Sequence, residues 1–182
     1  MKRTLLAILP AAILLLAPGC GDDGPSIVGP PPLPTYPPLS TPQNVLFALG
    51  LAYETRDSTV YVSCFDPAYQ GVSYDVDNAP GFQPGVFAYA DEAAHIGGLK
   101  RTSTILGVDV NFGPIANWVR ADGSSPGWAQ IIISNPRIFI ADGFDSWETG
   151  NGATFQFEFA PTPDGASPTD TTWKIVRWVE AP

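Results

Sequence analysis

The chain has 182 residues, 45% hydrophobic and 12% aromatic, which is apolar surface enough for a real core and sets aside a wholly disordered protein. Its formal net charge is −9, with 9 Lys and Arg against 18 Asp and Glu, so the surface repels phosphate backbones and argues against a nucleic-acid partner. Only two cysteines, Cys20 and Cys64, are present, too few for a disulfide framework.

In chain order, Lys2 and Arg3 precede an apolar run from Leu5 to Leu16, then the small-residue stretch Ala17-Pro18-Gly19 before Cys20. This is the layout of a bacterial lipoprotein signal peptide over residues 1–19, with Cys20 the residue that is acylated and becomes the new N-terminus. Ala17 and Pro18 stand where such signals usually carry Leu and a small residue, and secretion after Gly19 is the alternative. The run is shorter than the ~20 residues a spanning helix needs, and Pro10 interrupts it. The leader therefore predicts a lipid-anchored protein of the cell envelope, with the membrane as partner through Cys20. In a diderm cell, the absence of Asp directly after Cys20 favours an outer-membrane address, facing periplasm or surface. Residues 20–41, punctuated by seven prolines from Pro25 to Pro38 with no hydrophobic period, read as a stiff tether at ~3.1 Å per residue.

Residues 42–182 suit one domain. Thr41-Pro42 is an N-cap followed by a proline at the first helical position, and Val45, Leu46, Leu49, Ala52 and Tyr53 recur at helical spacing. Asp57 caps a second helix with Tyr61, Cys64 and Phe65 on its buried face, stopped by Asp66-Pro67. Val72, Tyr74 and Val76 alternate as a short strand ending at Asn78-Ala79-Pro80-Gly81, and a third helix runs from Ala90 to Arg101 with Ala93, Ile96 and Leu99 inward. The period then changes to two. Strands are predicted at Leu106–Phe112, along one long strand from Trp128 to Ala141 bent at Asn135-Pro136, at Ala153–Phe159, and at Thr172–Glu180 after a loop beginning Pro161-Thr162-Pro163. Trp173 and Trp178 fall on opposite faces of the last strand by parity, which leaves aromatic area for a pocket mouth or a second copy. Helices first and strands after give an α+β domain: three N-terminal helices packed on a curved antiparallel sheet.

That order, with "NVLFALGLAYETRDSTVYVSCFDP" opening the domain and "WKIVRWVE" closing it, resembles the nuclear transport factor 2-like cone fold and its SnoaL-like bacterial members. The resemblance covers Pro42 to Glu180 and implies a cavity between the helices and the concave sheet. In its enzymes, the resemblance implies, a carboxylate or histidine base works there beside a tyrosine or a second acid. No catalytic set is carried over position by position.

The residues of interest are therefore pocket candidates only: Tyr53, Asp75, His95 and Asp109. His95 is the single histidine, able to move a proton near neutral pH, but Asp91 and Glu92 at i−4 and i−3 also suit a plain helix-surface pairing. Tyr53 could donate into a cavity. Asp75 and Asp109 are strand carboxylates; the resemblance implies that such groups abstract protons when their pKa is raised inside the cone, and a solvated strand face explains both equally well. Cys64 reads as a buried inert thiol. Gly123-Ser124-Ser125-Pro126-Gly127 matches a nucleophile elbow but lacks a following helix and a downstream histidine. Asp75-Val76-Asp77 starts like a calcium loop and fails at Ala79 and Pro80, and Asp142, Asp145 and Glu148 read as a plain acidic loop. No metal and no cofactor is expected. The expectation is non-catalytic binding of a small apolar ligand or a protein. A metal-independent lyase or isomerase and an assembly protein that forms a homodimer through its sheet face are the alternatives.

Overall fold

The structure is a computed structural model that describes residues 33–74, 84–149, 151–163 and 171–181. Residues from Pro34 onward form one compact unit. Cys20, Asp75 and the Asn78–Gly81 turn lie outside the described residues.

Helix α1 is Pro42–Glu54, and the Thr41 hydroxyl accepts from the Asn44 amide at its start. Such a cap contributes about 1 kcal/mol. Asp57 Oδ1 accepts from the Thr59 and Val60 amides at the head of helix α2, Ser58–Ser63. Arg56, at φ 54°, makes the sharp turn between the two helices. Helix α2 stops before Asp66-Pro67, because Phe65 already enters strand β1, Phe65–Ser73. Pro67 is tolerated there since the ladder is irregular between Phe65 and Gln70, where no amide is required of it. Strand β2 is Gly85–Ala88 and helix α3 is Tyr89–Arg101. Then come β3 (Ile105–Asn111), a single 3-10 turn at Ile115–Asn117, β4 (Val119–Asp122), β5 (Ala129–Ser134), β6 (Arg137–Asp142), β7 (Ser146–Glu148), β8 (Thr154–Pro163) and β9 (Thr171–Ala181).

The strands form two sheets, one ordered β2-β1-β9-β8-β5-β4 and one ordered β3-β6-β7. The α+β reading holds, with the helices packed into the face that carries the core. The expectation of a purely antiparallel sheet does not, because β1 runs parallel to β9. Parallel neighbours need a long crossover, and everything between these first and last strands supplies it. The single long strand expected through Asn135-Pro136 is also two strands. Asn135 adopts φ 54° and gives its amide to Ala153 O, after which β5 pairs with β8 while β6 pairs with β3 and β7.

Phase within β9 departs from parity as well. Glu158 faces Arg177 but Phe159 faces Ile175, so Val176 is an extra residue that resets the alternation. Ile175 and Trp178 consequently both point into the core, Trp173 packs against the same cluster, and no tryptophan surplus is left on the far face. In that core, Phe155, Phe157 and Phe159 meet Val45, Leu46 and Leu49 of α1, each buried Phe contributing roughly 1.5–3 kcal/mol by area. The folded unit also begins earlier than the proline pattern implies. Tyr36 donates to Asp57 Oδ2 and pairs with the Thr55 hydroxyl, and Leu39 O accepts from the Trp173 amide, so the residues just before Pro42 belong to the domain and not to the tether.

Candidate functional site

Between α1, α2 and α3 on one side and the strands on the other lies a cavity of about 550 Å³. The last turn of α1 places Tyr53, α2 contributes Tyr61, and β1 brings Tyr69, Val72 and Ser73. Glu92 and His95, three residues apart on α3, share the helix face that looks into it. Ile138 and Ile140 from β6, Trp147 and Glu148 from β7, and Trp178 and Glu180 from β9 close the opposite wall. Phe87 completes an apolar lining of the type that encloses small molecules. The tyrosines are held by their own stacking, Tyr53 against Tyr61 at 5.4 Å and Phe65 between Tyr61 and Tyr69 at 5.2 and 4.7 Å.

The three tyrosine hydroxyls inside are already paired. Tyr53 Oη is hydrogen-bonded to His95 Nε2. Tyr61 donates to Glu92 Oε2 at 2.8 Å and Tyr69 to Glu92 Oε1 at 2.9 Å, so one carboxylate binds two buried hydroxyls. Burial pushes the pKa of all three tyrosines upward, reinforced by the Glu92 charge, and they stay neutral donors. Burial lowers the pKa of His95 against a smaller upward pull from Glu92, which favours the neutral imidazole near pH 7 although the ring keeps solvent access. Burial also raises Glu180; the Ser73 hydrogen bond opposes this and the Glu92 charge adds to it. Trp178 is 6% exposed, and among the described residues nothing accepts from its Nε1–H.

Of the four candidates, the structure brings Tyr53 and His95 together in the cavity. His95 is exposed, as the helix-surface alternative has it, but the pairing with its helix neighbours is not seen: Glu92 turns to the tyrosines, and Asp91 accepts from the Ala88 amide. Asp109 is elsewhere. Its half-exposed carboxylate binds Arg137 at 2.5 Å, and Arg137 also holds Glu148 at 2.7 Å. Position 75 is not among the described residues. Glu92, Glu180, Tyr61 and Tyr69 were not picked out by sequence reasoning. The i, i+3 spacing of Glu92 and His95 was a usable signal for the first, whereas the inward turn of Glu180 follows from the β9 bulge and had none.

The other motifs resolve plainly. The Gly123–Gly127 segment is the turn of the β4–β5 hairpin, where the Ser124 amide and hydroxyl donate to the buried carboxylate of Glu158. Asp142 Oδ1 accepts from the Phe144 and Asp145 amides, and Glu148 is committed to Arg137. Cys64 is fully buried at the end of α2, and burial pushes its thiol up to about 12, which leaves it unreactive.

No protein-family model matches this chain, and no curated protein matches it. Solved structures do. One is an NTF2-like protein with a cystatin-like fold from Novosphingobium aromaticivorans, at 13% identity and a TM-score of 0.47, covering 75% of this chain and 76% of that one. Another is a putative dehydratase of the NTF2-like family from Streptomyces avermitilis, at 14% identity and a TM-score of 0.49, covering 76% and 90%. A protein of unknown function from Mycobacterium tuberculosis matches at 12% identity and a TM-score of 0.49, covering 76% and 68%.

Proposed function

We propose that the domain is a receptor for a small, largely apolar molecule, bound in the cavity between the helices and the sheet. The observation that carries this is the cavity itself: about 550 Å³, walled by aromatic and aliphatic side chains, with its tyrosine hydroxyls already bonded before any ligand enters. Such preorganised walls cost little to reorder on binding. The test is native mass spectrometry and extraction of the full chain purified from its own envelope. A stoichiometric small molecule that is lost when Ile140→Trp fills the cavity is the expected result. Protein that is empty and gains no thermal stability from any of a broad set of amphipathic compounds would refute it.

A second reading, proton-transfer catalysis by a metal-independent lyase or isomerase, is favoured by one observation. His95, the single histidine, faces the cavity on Tyr53, and Glu180 is a desolvated carboxylate in the same wall. Those are the parts of an acid–base pair at neutral pH. Once a ligand is identified, its exchange of a carbon-bound proton with deuterated water in the wild type and not in His95→Gln separates the two readings.

The same proposal places the domain in the cell envelope, tethered by lipid on Cys20, and it rests on the leader sequence. Incorporation of a clickable palmitate analogue that Cys20→Ser abolishes is the expected result. Soluble, unlabelled protein cut after Gly19 would overturn it.

A further inference from the structure

We infer that the ligand of this cavity carries a positive charge, an organic ammonium with an apolar body. This deepens the receptor reading above and rests on it. Among the described residues, four carboxylates line the cavity, the exposed Asp91 and Glu148 and the partly buried Glu92 and Glu180, and no Lys or Arg does. Among the described residues the one that has a cationic partner is Glu148, held by Arg137. Residues 75–83 and 164–170 contain no Lys or Arg that could make up the difference.

Asp91 and Glu148 reach solvent, but Glu92 and Glu180 are partly buried carboxylates beside apolar walls, and proteins relieve the cost of such groups with a counter-charge. Glu92 is partly compensated by two neutral hydroxyls and Glu180 by Ser73, but hydroxyl donors do not cancel charge. The single basic group facing them, His95, loses rather than gains a proton on burial.

The walls fit the same ligand. Tyr53, Tyr61, Tyr69, Phe87, Trp147 and Trp178 surround the acids, and ring faces attract a desolvated ammonium.

The test uses the full-length protein and three probes of one shape: (4-methoxyphenyl)trimethylammonium, its neutral isostere 4-tert-butylanisole, and 4-methoxybenzenesulfonate. By calorimetry the cation binds at least about tenfold more tightly than the isostere, and the sulfonate does not bind. Glu180→Gln weakens the cation about fivefold or more and leaves the isostere unchanged. Should that variant fold poorly, salt serves instead, since added salt weakens the wild-type protein's grip on the cation and not on the isostere. If the neutral isostere or the sulfonate binds as tightly as the cation, the charge assignment is wrong while the receptor reading stands. If no probe binds, the inference falls and the mass-spectrometric result decides the receptor reading separately.

Discussion

Glu92→Ala tests the internal logic of the site most directly. In the native fold the carboxylate accepts from Tyr61 at 2.8 Å and from Tyr69 at 2.9 Å, and both tyrosines are almost wholly buried. A hydrogen bond to a charged group is worth ~1.5–3 kcal/mol, and an orphaned buried hydroxyl costs ~1–3 kcal/mol. Glu92 is half-buried rather than buried, which places the expected loss at the lower end, about 3 kcal/mol for the two bonds together. For a domain of this size that is a fall in Tm of roughly 6–12 °C. Opposing this, Glu180 is freed of a like charge, so the loss does not reach the sum of the upper limits. Tryptophan fluorescence during urea unfolding reads the change, with Tyr61→Phe/Tyr69→Phe as the companion. If the pairing matters as described, adding Glu92→Ala to that double variant costs far less than adding it to the wild type. Additive costs, or a loss below about 0.5 kcal/mol for Glu92→Ala alone, would show that the tyrosines do not depend on this carboxylate.

Gly71→Ala places a methyl group against the Tyr69 hydroxyl, so Tyr69 has to leave Glu92. A loss of ~1.5–3 kcal/mol with weakened ligand binding is expected in thermal-shift and calorimetric titrations. His95 has a folded-state pKa below its usual value, so its contribution to stability is present above about pH 6.5 and is lost as pH falls through the lowered pKa. Glu180 acts in the opposite sense, its raised pKa costing stability as pH rises. Comparing Tm between pH 5 and 7, His95→Gln should therefore flatten the acid-side loss; an unchanged slope would remove His95 from the account. Phe157→Ala, in the centre of β8 and fully buried, should lower stability by ~3–5 kcal/mol in denaturant titration.

What the sequence determined by itself was local. Thr41-Pro42 and Asp57 mark helix starts because a side-chain oxygen reaches an amide two or three residues away, and alternation at Phe155, Phe157 and Phe159 reports a strand with one buried face. The α+β class and the interest of Tyr53 and His95 followed from such short-range signals. Only the tertiary structure decided what depends on partners distant in the chain. The parallel pairing of β1 with β9, the change of sheet at Asn135 and the extra residue at Val176 each answer to where another strand has buried its edge, and none of them has a period to read. The candidate site is of that second kind. It joins Tyr53, Tyr61, Tyr69, Glu92, His95 and Glu180 from five different elements, and a carboxylate such as Glu180 reads as a solvated strand residue until a bulge turns it toward the cavity. Local propensity acts over a few residues, whereas burial and charge act between any two surfaces the fold brings together.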